Sequence, residues 1–262
     1  MMYGDVLKPE ILGDYVKTNV PSLKHFMSKD NTDQIYNIPS LAALSSAMRL
    51  LQRFEFKNNH GEWISAVKPD LGPGISERVS DALRTTGENI DICYSIKREL
   101  HDALSALLGI LSLVFIKGNL PSFRPWRNNV QTCLLLHRSI LLLKKLFETL
   151  LAPGLYIHFS KPFHLSKDFG VLMIPTVPGP PPKLQTNTSD LEIFRARAFS
   201  LLSIAGVSGF CQVSIPLGMY NNLPLSISLV ARHGADKFLL HLVESLYDSI
   251  EDRKQHIIEH KL

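Results

Sequence analysis

Three short apolar runs late in the chain set the tightest limit on its fold. Val171 to Ile174 is apolar throughout and is closed by Pro175, the pattern of a strand buried on both faces. Gln212 to Leu217 is a second candidate strand. Pro224 to Ala231 alternates Leu225, Ile227 and Leu229 against Ser226, Ser228 and Val230, the period of two that sends successive side chains to opposite faces. Helical patterns lie on either side of this strand pair, at Glu192 to Ala205 and at Asp236 to Ile250. Helix, strand, strand, helix with apolar strands predicts an α/β fold, a sheet covered by helices.

Upstream the period changes to that of a helix. Leu41, Leu44, Met48, Leu51 and Phe54 share one face of Leu41 to Phe56, and Asn58, Asn59 and Gly61 are expected to end that helix. Pro69 to Gly74 is a turn-rich connector. A helical pattern resumes after Ser76 with Val79, Leu83 and Ile90. Asp91 to Leu108 then places Ile92, Ile96, Leu100, Leu104 and Leu107 along one face of a long amphipathic helix. Pro178 to Lys183, PGPPPK, is extended and unable to continue a sheet. It reads as a connector or as a rigid loop at the sheet edge. The polar residues Glu251 to Leu262 are expected to fray.

At 262 residues with 45% hydrophobic and 20% charged side chains, the chain affords a globular core. A net charge of +4, spread over scattered basic residues such as Lys57, Arg78, Lys97 and Arg98, gives no nucleic-acid footprint. Cys93, Cys133 and Cys211 are odd in number and widely spaced, so neither a disulfide framework nor a metal site is expected. The apolar run Leu104 to Ile116 is shorter than the roughly 18 to 20 residues of a spanning helix. Leu134 to Leu151 is interrupted by His137, Arg138, Lys144, Lys145 and Glu148, an amphipathic pattern. No membrane span is expected. With an N-terminus that resembles neither a signal nor a transit peptide, the expected location is cytoplasmic.

An ordered series of motifs carries a family resemblance. Pro175-Thr176 closes a strand, Ile204-Ala205-Gly206-Val207-Ser208-Gly209 is a small-residue helix, and Pro216-Leu217-Gly218 and Leu223-Pro224 follow in order. This stretch resembles the C-terminal half of amidase signature hydrolases. Where many members have Gly before the Leu-Pro, this chain has Asn222, which also tolerates a positive φ. Asn58 to Val79 and the segment LLSIAGVSGFCQVSIPLG are closer to plant indole-3-acetamide amidases, enzymes of auxin biosynthesis. That branch also includes the amidase-like receptor of the chloroplast outer envelope. The resemblance implies a mixed sheet between helices. It also implies a partial amidase domain: a helical part over residues 1–108, an α/β core over 166–250 and a tail over 251–262. Residues 109–165 do not fit. The connection they make is far longer than an ordinary one, and they read as a Leu-rich insertion or as a retained intron translated in frame, which the spliced transcript distinguishes.

The family reaction hydrolyses a carboxamide to an acid and ammonia with a serine nucleophile, a bridging serine and a lysine, and with no metal or cofactor. The serines belong to a run of Gly-Gly-Ser-Ser type, and no such run occurs in these 262 residues. Ser45-Ser46 lies in a helical pattern without glycine neighbours, and Ser208 has no paired serine or lysine. No catalytic residue is therefore assigned, and the chain alone is expected to be inactive. His60-Gly61-Glu62 reads as a solvated turn, His233 and His241 as helix-flanking structural residues, and Cys211 as an inert thiol before a strand. By analogy of position, Thr176 and Val177, just past a strand's carboxyl end, are the expected pocket contributors. The small-molecule amide belongs to the full-length family, and no partner protein is implied by the residues. The receptor-like alternative would be a non-catalytic interaction module at the chloroplast envelope surface. That reading predicts helical-pair repeats, and none follows Ile250 in the sequence.

Overall fold

The computed structural model describes residues 12–27, 38–110, 113–115, 170–220, 222–244 and 246–247. The tail 251–262, residues 166–169 and nearly all of the Leu-rich stretch 109–165 lie outside the described residues. The chain divides into two compact units: one comprises Glu10–Ala106 and Gln185–Phe210, the other Met1–Pro9, Leu107–Leu184 and Cys211–Leu262.

The first unit is helical. Its elements are α1 (Leu12–Asn19), a 3₁₀ turn (Pro21–His25), α2 (Pro39–Val67), α3 (Pro73–Arg84), α4 (Ile90–Ile110, all but its last turn) and α5 (Thr188–Ser208). The apolar faces read from the periodicity are buried: Leu41, Leu44, Met48 and Leu51 on α2, and Ile96, Leu100 and Leu104 on α4. Two polar ties fix the chain's early turns to α4. The Tyr15 hydroxyl donates to the Ala103 carbonyl at 2.7 Å, and the Ser22 hydroxyl and N–H donate to the Glu99 carboxylate at 2.6 and 2.9 Å.

Helix α2 corrects one expectation. It does not stop at Asn58, Asn59 and Gly61 but runs to Val67, where Lys68 takes φ 49° and Pro69 follows. Tertiary contacts override the local stop signals. The Phe56 and His60 rings lie 5.1 Å apart one turn along, Lys57 donates to the Thr85 carbonyl at 2.8 Å, and a Cβ on Gly61 would sit 3.4 Å from the Leu83 side chain. His60 and Glu62 are therefore helical residues rather than turn residues. Pro69–Gly72 is the expected connector, and Pro73 already opens α3, where its missing N–H costs nothing.

Helix α5 starts four residues before the periodicity suggested because Asn187 caps it: the Asn187 side-chain oxygen accepts from the Asp190 N–H at 2.8 Å. It ends at Gly209, φ 73°, whose N–H bonds the Ala205 carbonyl. Within α5, Gly206 lets α2 approach: a Cβ there would meet the Met48 sulfur at 2.8 Å.

The second unit holds a four-stranded mixed sheet in the order β1-β2-β4-β3. Its strands are β1 (Leu113–Phe115), β2 (Val171–Pro175), β3 (Cys211–Tyr220) and β4 (Leu223–Ala231). β1 runs parallel to β2, and β4 pairs antiparallel with both β2 and β3. β1 lies inside the Leu-rich stretch and was not expected from the sequence. β3 outruns its expected span through Pro216, because an irregularity in register between Pro216 and Gly218 absorbs the missing donor at the sheet edge. The β3–β4 hairpin closes with Tyr220 opposite Leu223, and Asn222 takes φ 60°. Odd-numbered side chains of the three longer strands, Val171, Met173, Ile215, Ile227, Leu229 and Ala231, form one core with Leu239 and Leu246, which lie in the helical residues 236–244 and 246–247. His241 lies inside that segment rather than beside it, and its Nδ1 is 3.6 Å from the Glu244 carboxylate.

Candidate functional site

The even-numbered side chains of the sheet tell a different story along each strand. At one end Leu172, Ile174 and Val230 are buried and apolar. Toward the carboxyl end of β2 the same face turns to hydroxyls. β2 stops at Pro175, and Thr176 is the next residue, half-buried. Its hydroxyl lies 3.0 Å from the hydroxyl of Ser228 on β4, and Ser228 lies 3.1 Å from the hydroxyl of Ser214 on β3. The register that aligns them places Ile174 opposite Ser228 and Ser228 opposite Ser214. Ser228 is fully buried, whereas Ser214 is exposed. Three hydroxyls thus form a chain from the strand end to the surface.

Val177, the second expected pocket residue, is 40% exposed beside Thr176. The loop that follows is irregular. Pro178 is buried, while Pro180 to Leu184 are exposed. Among the described residues, the serines raised by the sequence lie on helices. The Ser208 hydroxyl is buried on α5 and donates to the Ile204 carbonyl at 2.7 Å, a hydroxyl bonded to its own helix rather than poised for attack. Ser45 is buried on α2, and Ser46 donates to the Ala42 carbonyl.

Neither described thiol is prepared as a nucleophile. Burial pushes the Cys93 thiol up to about 11. Cys211, the first residue of β3, is also raised, by burial and then by Asp236, against backbone hydrogen bonds that pull the other way. Its sulfur contacts the Arg232 and Ala231 carbonyls at 3.1 and 3.5 Å. His101 went unremarked in the sequence. Its Nδ1–H donates to the Ser208 carbonyl at 2.9 Å, and its ring meets Phe210 edge-on at 5.4 Å. It satisfies a carbonyl at the C-terminus of α5, so its role is structural. Among the described residues no group of three or more His, Cys, Asp or Glu side chains could hold a metal ion. Nor is any described helix long and apolar enough to cross a membrane.

Ser214 and Ser228 were also missed. The alternation in 224–231 marked Ser228 as sharing a face with Ser226 and Val230, but only the cross-strand register puts Ser214 and Thr176 beside it.

The described residues therefore define an α/β protein with a hydroxyl-lined strand end. The chain is 51% identical to "Amidase 1" of Arabidopsis thaliana over 243 residues, which cover 92% of this chain and 44% of that relative. It is 42% identical to "Amidase 1" of Oryza sativa subsp. japonica over 95% of this chain and 44% of that protein. It is 33% identical to "Outer envelope protein 64, chloroplastic" of Arabidopsis thaliana over 94% of this chain and 32% of that protein. No family model matches the chain. These relatives support an amidase-signature-like family, and the chain spans less than half the length of the curated relatives it matches.

Proposed function

We propose that this chain supplies the scaffold and part of the acyl pocket of an amidase-type domain. The reaction of that domain adds water to a carboxamide, of the indole-3-acetamide kind, to give an acid and ammonia. The observation that carries the reading is the 51% identity to a protein named Amidase 1 across 92% of the chain. In this reading Thr176 and Val177 line the pocket at the carboxyl end of β2, where α/β sheets take their ligands. Residues 1–262 contain no Gly-Gly-Ser-Ser run, and the Ser46 and Ser208 hydroxyls donate to backbone carbonyls of their own helices. The chain by itself therefore does not turn substrate over. Purified protein incubated with indole-3-acetamide should release no ammonia above the uncatalysed rate. Measurable, enzyme-dependent release would overturn this half of the reading.

A second reading has its own observation. The 33% identity to an outer envelope protein of the chloroplast spans 94% of the chain. It supports a non-catalytic interaction module at that surface, whereas the first reading has the protein cytoplasmic. Fluorescently tagged chain that sediments with intact chloroplasts, and is released by protease treatment of their surface, would favour the second over the first.

A further inference from the structure

We propose that Thr176, Ser228 and Ser214 form a reversible hydroxyl wire that recognises a primary carboxamide, with Ser228 as the positioning residue. This inference rests on the pocket reading above.

A hydroxyl carries one proton to donate and two lone pairs to accept with. Three hydroxyls linked by contacts of 3.0 and 3.1 Å use two protons internally, and one proton is left over at one end. When the wire runs from Ser214 through Ser228 to Thr176, the Thr176 O–H is free to donate to a carbonyl or carboxylate oxygen. When it runs the other way, Thr176 donates to Ser228, Ser228 donates to Ser214, and Thr176 presents its lone pairs to an amide N–H. Ser228 is fully buried, so its proton goes to one of these two neighbours. Ser214 is exposed, so water there satisfies either polarity at little cost. The half-buried end is thus ambidentate because the exposed end is indifferent. A carboxamide offers one acceptor and one donor set on a single carbon, and its hydrolysis product, a carboxylate, offers acceptors only. The wire matches both, and each bond in a polarised chain strengthens its neighbour.

The two polarities fail separately. Ser214→Ala leaves the buried Ser228 proton without an acceptor whenever Thr176 is the donor, so it penalises recognition of N–H while sparing recognition of oxygen. Ser228→Ala removes the wire altogether.

The test titrates the full chain, labelled at threonine methyl carbons, with indole-3-acetamide, its N,N-dimethyl analogue and indole-3-acetate, and follows the Thr176 methyl signal. In the unaltered chain the primary amide should bind about tenfold more tightly than the dimethyl analogue, the effect of one buried hydrogen bond. Ser214→Ala should abolish that preference and leave affinity for the acid unchanged. Ser228→Ala should weaken amide and acid alike. Because Ser214 is exposed, its variant keeps the fold even where Ser228→Ala disturbs it. If the Ser214→Ala protein keeps the tenfold preference, the wire is wrong and the pocket reading stands. If no probe moves the Thr176 signal saturably, the pocket assignment at Thr176 fails and the wire fails with it.

Discussion

The helical unit and the sheet unit use the same residue type to opposite ends. On α5 every buried serine turns its hydroxyl back on its own helix: Ser200 to the Ala196 carbonyl, Ser203 to Ser200, and Ser208 to Ile204. On β4 the buried Ser228 bonds to hydroxyls of two other segments. The cause is geometric. A helix carries its carbonyls along its axis, within reach of the side chain one turn on. A strand commits its backbone groups to neighbouring strands and points its side chains away from them. A buried serine within α5 is thereby closed, whereas Ser40 in the first turn of α2 reaches the Gly13 carbonyl of α1, and one on a sheet face stays available to whatever lies across that face. Hydroxyl chemistry in this chain is therefore to be sought on the sheet.

The largest test of the comparison removes a core side chain from one unit. Leu229 is fully buried in the cluster that joins the sheet to residues 236–247. Leu229→Ala should lower stability by about 3 kcal/mol, the transfer energy of the lost atoms plus the cavity left behind. Measured by urea denaturation with hydrogen exchange, protection should fall in β2, β3 and β4 first. If amides of α2 and α4 lost protection to the same degree at the same urea concentration, the two units would unfold as one and the contrast would be between faces of a single cooperative body.

The next effect belongs to the helical unit alone. Cys93 on α4 is fully buried, and burial raises its thiol from 9.0 to about 11. A folded-state value above the unfolded one means that the folded form holds the proton more tightly. The contribution is therefore fully present below pH 9 and is lost as pH rises through about 11. A shift of this size corresponds to about 2 to 3 kcal/mol. Stability measured from pH 8 to 11 should fall in the native chain and fall less in Cys93→Ala, after allowance for the variant's lower starting point. Identical slopes would show that the thiol is not held protonated by its surroundings.

How far the sequence disclosed this comparison depends on which forces acted. Val171 to Ile174 was legible as a strand because an unbroken apolar run closed by proline has few other uses, and the observed β2 runs Val171–Pro175. Thr176 followed from that boundary. The faces of α2 and α4 were legible because helical period alone fixes them. What stayed hidden was decided by contacts distant in sequence. α2 continues through Gly61 because of Leu83 and the Lys57 bond to Thr85. β1 forms because Leu113 to Phe115 finds Val171 to Met173, and nothing in a leucine-rich run announces that partner. The hydroxyl chain joins residues 176, 214 and 228, and the alternation that flagged Ser228 carried no register. Conversely, Ile204 to Gly209 was legible as a small-residue helix, and it forms the closing turns of α5.

That last point supports the smallest prediction, which is also the sharpest. Ser208→Ala removes a hydrogen bond of 2.7 Å to the Ile204 carbonyl. That carbonyl is already the helix acceptor for the residue-208 N–H, so it is not left unsatisfied. The change also gains helix propensity, worth about 0.5 kcal/mol for alanine over serine. Against that gain, the buried Phe210 N–H loses its 3.3 Å contact to the Ser208 hydroxyl, so stability should fall by no more than about 1 kcal/mol. Ser228→Ala has no such offset. It strips a buried partner from both Thr176 and Ser214 in a strand where alanine is no better than serine, and it should cost about 1 to 2 kcal/mol. The pair of variants, compared by chemical denaturation under one set of conditions, isolates the effect of backbone geometry from that of burial, since both serines are almost wholly buried. Equal losses would mean that burial alone sets the worth of a hydroxyl here, and the distinction between helix and sheet serines would then have no energetic content.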